Sequence, residues 1–228
     1  MPCAKPSPRA FLFTNHAPRQ IVSGYQNITA ADVIVAVDGG LQRIHELKLS
    51  PHLIIGDLDS LDIGLLQCYP AVPCLKYASE KNETDTELAL MWCRENGYQR
   101  EIIICNDLQG RFDHALALVQ NLLQLQAEFA ASGLVIFPSP LRIESESQVL
   151  FCLPREICFP HQQNCLLSLI PLSVKVEIIS SIRLKYPLDG LTLWQHQSRG
   201  ISNEITAADA RIIKGEGEVL AVLSVPKG

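Results

Sequence analysis

Apolar positions in the first 137 residues fall into short blocks separated by longer amphipathic stretches. FLFT (Phe11–Thr14), DVIVAVD (Asp32–Asp38), LIIGD (Leu53–Asp57), EIIIC (Glu101–Cys105) and LVIF (Leu134–Phe137) are apolar at consecutive positions and rich in β-branched residues. That is the pattern of strands covered on both faces. The stretches between them carry helical spacing. The clearest predicted helix runs from Asp113 to about Ala131, with Gly133 placed to close it. A second starts at Thr84, where Thr84 and Glu87 form a T-x-x-E capping box and Gly97 follows the end. Such alternation predicts a mostly parallel α/β sheet with helices on both faces.

After Phe137 the helical period disappears. LRIES, SQVLFCL, NCLLSLIPL, VKVEIIS, GLTLWQH, DARIIKG and EVLAVLSV follow one another, punctuated by Gly, Pro, Ser and Asp. Short strands at this spacing predict an antiparallel β-sandwich or barrel. Pro138 and Pro140 interrupt the pattern in FPSPLR, which divides the chain into an α/β domain over 1–139 and a β-rich domain over 140–228. Neither an internal repeat nor a low-complexity segment is visible.

Composition narrows the picture. The 228 residues are 47% hydrophobic and 19% charged, which is a globular balance. The formal net charge is −5 and no long basic run occurs, so nucleic acid is not an expected partner. No run approaches the roughly 18 apolar residues of a membrane span, and MPCAKPSPRAFLFTNH lacks the apolar core of a signal peptide. The eight cysteines include no C-x-x-C pair and mostly sit in apolar runs, which fits reduced thiols in the cytoplasm. Cys152, Cys158, His161 and Cys165 are spaced too irregularly for a zinc site; core thiols are the better reading.

In parallel α/β sheets, ligands bind beyond the carboxyl ends of the strands. The chemically informative residues fall there: Asp38-Gly39-Gly40 after one strand, Gly56-Asp57-Leu58-Asp59-Ser60 after the next, and Asn106 to Arg111 before the long helix. Residues two apart in extended backbone point the same way, about 6.6 Å apart. Asp57 and Asp59 would therefore repel one another, the more so if Asp38 or Asp85 joins them. A divalent cation relieves that repulsion, and an all-oxygen set suits magnesium. The competing reading of GDLDS is a solvated turn capping the next helix. Asp85 in a first helical turn is by itself ordinary helix chemistry, whereas Lys81 beside it offers a mobile charge to phosphate oxygens. In Gly110-Arg111-Phe112-Asp113-His114, glycine lets backbone approach a ligand and Arg111 suits an anion at a helix start; the alternative is a surface Arg–Asp pair.

VDGG, GDLDS, KNETDTELAL and GRFDHALA, in this order, resemble the motif set of thiamine pyrophosphokinases, and SLIPL, RLKYPLDG and GISNE resemble that family's second-domain motifs. The resemblance spans roughly Val37 to the end of the chain. It implies an amino-terminal α/β domain that binds nucleotide, and a carboxyl-terminal β domain for thiamine and dimerisation. It also implies a homodimer with active sites near the interface. The implied reaction is Mg²⁺-dependent transfer of pyrophosphate from ATP to the thiamine hydroxyl, releasing AMP. By motif match, Asp57, Asp59 and Asp85 would serve the metal and phosphates, with Lys81 and Arg111 completing the catalytic set. Asp38, Gly39, Gly56, Ser60, Asp113 and His114 would join Lys81 and Arg111 around the nucleotide. Tyr186, Ser202 and Asn203 would lie at the thiamine site. Asn82, Gln109 and Leu118 depart from the family pattern, at positions where Asp, Gly and Asn are common.

If so, the protein's task is positioning and charge neutralisation while the hydroxyl attacks the β-phosphorus and AMP leaves in line. Asp85 is the first candidate for accepting the hydroxyl proton. A metal-dependent glycosyltransferase would explain GDLDS but not GRFDH or the all-β tail. A non-catalytic thiamine or nucleotide sensor would not need the acidic set.

Overall fold

The computed structural model describes residues 8–98, 101–129 and 133–226. The chain forms two compact units, one of Met1–Leu118 with Ile143–Glu146 and one of Val119–Arg142 with Ser147–Gly228. Their boundaries fall at residues 118–119, 142–143 and 146–147.

In the first unit, β1 (Ala10–Phe13), β2 (Val33–Val37), β3 (Leu53–Gly56), β4 (Cys74–Lys76) and β5 (Ile102–Cys105) pair in parallel in the order β5-β1-β2-β3-β4. Both faces of the central strands are buried, as their unbroken apolar runs require. Alternate residues serve opposite faces. Phe11, Phe13, Ile34, Ala36, Ile54 and Ile103 pack with Leu41 and Ile44 of α1 (Gly40–Glu46) and Leu61 and Leu65 around α2 (Ile63–Leu66). The strands β1, β2 and β3 also pack against α3 (Asp85–Glu95), which buries Leu88, Ala89, Leu90 and Cys93.

Local signals explain the helix limits. Thr84 caps α3 by accepting the Glu87 N–H at 3.2 Å, and Asp85 and Glu87 stand in the first turn with Arg94 in the last. The predicted long helix is α4 (Phe112–Phe129); residues 130 and 131, the end of its predicted span, lie outside the described residues. Helix α1 fills one of the stretches between strands where helical spacing was expected. An ideal Cβ at its first residue, Gly40, would lie 1.8 Å from the Phe13 carbonyl oxygen, so only glycine lets α1 pack this tightly on β1. The edge strand β4 was missed, since all three of its residues are exposed and carry no buried-strand pattern.

The strand β7 (Leu141–Glu144) is divided between the two units, and the second unit is mostly antiparallel. The strands β8 (Gln148–Cys152), β10 (Leu166–Pro171), β13 (Asn203–Glu204) and β15 (Val219–Ser224) pair in the order β13-β10-β15-β8. A second sheet runs β12-β11-β14-β9-β6, from β6 (Val135–Ile136), β9 (Glu156–Phe159), β11 (Lys175–Ile182), β12 (Leu191–Trp194) and β14 (Ala210–Lys214). Phe137 packs its ring against Phe151 of β8 and Phe159 of β9, at 5.7 and 5.8 Å between centroids, and so joins the two sheets. The segment LVIF is a correction to the sequence reading. Val135 and Ile136 pair in parallel with Ile157 and Cys158 of β9 instead of extending the α/β sheet. Apolar blocks report burial but not which strand lies alongside.

Candidate active site

The order of the first sheet reverses between β1 and β5, and the loops leaving its strands at their carboxyl ends carry the polar residues. Three of these loops hold a non-glycine residue with positive φ: Asp38 at 49°, Leu58 at 68° and Leu108 at 56°. Such backbone costs on the order of 1 kcal/mol or more per residue and persists where the surroundings enforce it.

Asp38, Asp57 and Asp59 each present a carboxylate oxygen, and these atoms all lie within 4.8 Å of one another. Asp38 is 7% exposed, Asp57 half-buried and Asp59 open to solvent. Oδ2 of Asp38 accepts from the Ser60 hydroxyl and from Asn15 Nδ2 at 3.2 Å, and Asn15 Nδ2 also reaches Ser60 Oγ at 3.1 Å. Oδ1 of Asp38 is buried with no hydrogen-bond partner among the described residues. The Asp59 N–H donates to Asp57 Oδ1 at 3.1 Å and lowers the Asp57 carboxyl below its ordinary range. The Asp57 charge in turn raises Asp59. Three clustered carboxylates, one with an orphaned buried oxygen, fit a hard cation that prefers oxygen ligands, such as magnesium.

Asp85, grouped with Asp57 and Asp59 by sequence, is not one of these three. It is the first residue of α3, and its Oδ1 lies 3.1 Å from Lys81 Nζ, which also donates to the Ala78 carbonyl at 3.1 Å. The charge of Lys81 also helps lower Asp57, so this ion pair sits within electrostatic reach of the acidic cluster. Gly56 has a φ of 151°, and its ideal Cβ would lie 3.1 Å from the Asp38 Cβ. Glycine there keeps the ends of β2 and β3 close together.

At the end of β5, Asn106 is buried. Its Nδ2 donates to Thr14 Oγ1 at 2.7 Å, and its Oδ1 accepts the Leu108 N–H at 2.6 Å. The Asp107 N–H donates to the His16 carbonyl at 2.9 Å, and burial raises the Asp107 carboxyl. Gly110 lies against the His16 ring, 2.7 Å from its ideal Cβ to Nε2. Arg111 makes a two-point pair with Asp113, at 3.1 and 2.6 Å, and both side chains are largely exposed. That pairing lowers Asp113 and raises Arg111. His114 is exposed, and its N–H donates to Asp113 Oδ1 at 3.0 Å. Sequence reading passed over Asn15 and found no signal in His16. Their position two and three residues after a buried strand was the available clue.

In the second unit, Asn203 is buried and uses its amide to hold the backbone of Tyr186. Its Oδ1 accepts the Tyr186 N–H at 3.0 Å and its Nδ2 donates to the Tyr186 carbonyl at 2.7 Å. The Tyr186 side chain is left exposed. Ser202, with φ of 55°, donates its N–H to Ser168 Oγ at 3.0 Å.

A parallel α/β unit with an acidic cluster and cationic side chains beyond its strand ends defines a class of phosphate-handling α/β proteins. Residues 25–132 match the family described as thiamin pyrophosphokinase, catalytic domain, and residues 155–217 match thiamin pyrophosphokinase, vitamin B1 binding domain. The chain belongs to the thiamin pyrophosphokinase family and has that family's activity, pyrophosphoryl transfer to thiamine. It is 26% identical over 211 residues to thiamin pyrophosphokinase 1 of Caenorhabditis elegans, covering 86% of this chain and 82% of that one. It is also 26% identical over 194 residues to thiamine pyrophosphokinase of Bacillus subtilis, covering 83% and 86%. The crystal structure of thiamin pyrophosphokinase from Geobacillus thermodenitrificans superposes with a TM-score of 0.77 at 26% identity, covering 96% of this chain and 99% of that one.

Proposed function

We propose that Asp38, Asp57 and Asp59 hold the Mg²⁺ that accompanies ATP, and that the protein makes thiamine diphosphate and AMP. The observation that carries this reading is the orphaned, buried Oδ1 of Asp38 beside the Asp57 and Asp59 carboxylates. The ion, when bound, supplies charge neutralisation to the phosphates. The residues of the chain do the rest. Lys81, held by Asp85 and by the Ala78 carbonyl, presents its ammonium beside the acidic cluster, where polyphosphate oxygens need a positive partner. The guanidinium of Arg111 is oriented by Asp113 through two of its five donors and keeps the others for phosphate. Gly39 leaves room for Asn15, Gly56 lets the ends of β2 and β3 meet, Ser60 orients Asp38, and His114 at the start of α4 would face the nucleotide.

The thiamine oxygen forms a bond to the β-phosphorus as the bond from that phosphorus to the AMP oxygen breaks. The hydroxyl proton goes to a carboxylate or to water, with Asp85 the first carboxylate to test. Tyr186 stacks on the flat aminopyrimidine, and Ser202 offers polar contacts. Asn203 acts by holding Tyr186 in place, since its amide already serves the Tyr186 backbone. We extend the reading to a cytoplasmic homodimer. Free thiols at Cys68, Cys74, Cys93, Cys105, Cys152, Cys158 and Cys165 support a reducing compartment. No helix among the described residues is long and apolar enough to cross a membrane.

The decisive experiment incubates the protein with ATP and thiamine, with and without Mg²⁺, and separates the products. AMP and thiamine diphosphate appearing together, only with the divalent ion, is the expected result. Equal turnover after thorough chelation would overturn the metal assignment.

A further inference from the structure

Asn15 is an exposed side chain in the loop after β1, yet it serves the most buried carboxylate of the site. Its Nδ2 and the Ser60 hydroxyl both converge on Oδ2 of Asp38. Oδ1 of the same carboxylate is left buried and without a partner among the described residues. A carboxylate that were merely solvated or structural would share its donors between both oxygens, because an unpaired buried oxygen is costly. Holding one oxygen with two donors and leaving the other free is the arrangement by which outer residues orient a ligand toward a cation.

The neighbouring glycine points the same way. Gly39 has φ −59° and ψ −3°, an ordinary right-handed conformation open to any residue. Backbone geometry therefore does not require glycine there. The Asn15 side chain occupies the space a larger residue would take: an ideal Cβ on Gly39 would lie 1.9 Å from Asn15 Oδ1, the closest atom, and 3.3 Å from Ser60 Oγ, so a side chain there would push Asn15 out of its place. The first glycine of the Asp-Gly-Gly run thus makes the seat for Asn15, whereas the second is needed for the backbone contact with β1.

We propose that Asn15, seated by Gly39, is a positioning residue for the cation site: it fixes the Asp38 carboxylate so that Oδ1 is kept as a ligand atom. This rests on the assignment of Asp38, Asp57 and Asp59 to a divalent ion. Asn15 acts through Asp38 and not on the substrates.

The test uses Mn²⁺ as a spectroscopic probe for the full-length protein without nucleotide, following free Mn²⁺ by electron paramagnetic resonance. Parent, Asn15→Ala, Gly39→Ala and the double variant are compared. Mn²⁺ affinity should fall about 10–100-fold in each single variant. The double variant should bind no more weakly than the weaker single one, because both substitutions remove the same contact. The Mg²⁺ concentration giving half-maximal turnover should rise by the same factor, with the apparent KM for thiamine unchanged. Asn15→Ala binding Mn²⁺ as tightly as the parent would overturn the inference, as would full additivity of the two single effects. A parent that binds no Mn²⁺ at all would overturn the cation assignment, and the inference with it.

Discussion

Asn106 offers a quantitative test of how the fold holds the loop that carries Gly110 and Arg111. Replacing it by Ala removes two hydrogen bonds from a residue that is 5% exposed, one to Thr14 Oγ1 and one from the Leu108 N–H. Each such bond contributes about 1 kcal/mol net, so the loss should be about 2 kcal/mol. For a protein of this size, that lowers the melting temperature by about 4–8 °C. The second bond also supports the positive φ of Leu108, two residues before Gly110. Once released, the loop should relax, and the apparent KM for ATP should rise while that for thiamine holds. Thr14→Val separates the two effects, because it cuts the link to Asn106, together with the Thr14 hydroxyl's bond to the Cys105 carbonyl, but leaves the bond to Leu108 in place. It should lower the melting temperature with little change in KM for ATP. The assays are calorimetry and steady-state kinetics on the same preparations. If Asn106→Ala melts with the parent, or destabilises the protein without moving the KM for ATP, the loop is not held in the way described.

Three other outcomes follow from the same structure. Asp57→Asn should cut turnover by at least about 100-fold and abolish any rise in melting temperature on adding Mg²⁺, with the apo melting point preserved; near-parental turnover at limiting Mg²⁺ would count against the metal site. Tyr186→Ala should raise the apparent KM for thiamine about fivefold, from one lost stacking contact of about 1 kcal/mol, and leave that for ATP nearly fixed; equal impairment of both substrates would contradict the assignment. At Asp32, burial opposes ionisation, but hydrogen bonds from the Arg9 guanidinium and from Thr29 outweigh it and hold the carboxyl at about 2. A lowered folded pKa contributes stability above the unfolded value near 4 and loses it as pH falls toward 2. After allowance for solvent around Arg9, this is about 1–2 kcal/mol at neutral pH. Asp32→Asn should therefore be less stable than the parent in urea at pH 7, with the gap closing below pH 3; a constant gap would refute the linkage.

The sequence by itself determined the buried strands of the first unit, its helices α3 and α4, and the β character of the second. Burial on both faces leaves unbroken apolar runs, and a helix start leaves a cap such as Thr84. It also determined the reaction, because short motifs such as GDLDS and GRFDHALA, held in one order, resemble a single family. What it left open was lateral. Nothing in the run Leu134–Phe137 says that it pairs with β9, because apolar spacing reports which faces are covered and not what lies beside them. The same limit applied at the site. Asp57 and Asp59 were legible as a pair at a strand end, although they meet through a turn at Leu58, φ 68°, and not through the extended backbone their spacing suggested, whereas Asp38 joins them only because β2 and β3 pair in register and Gly56 lets their ends meet. Asn15 lies 23 residues from Asp38 and 45 from Ser60 in the chain, and it reaches both only because β1 lies beside β2 in the sheet. Long-range strand pairing, which no local pattern encodes, decided which carboxylates came together and which side chain holds them.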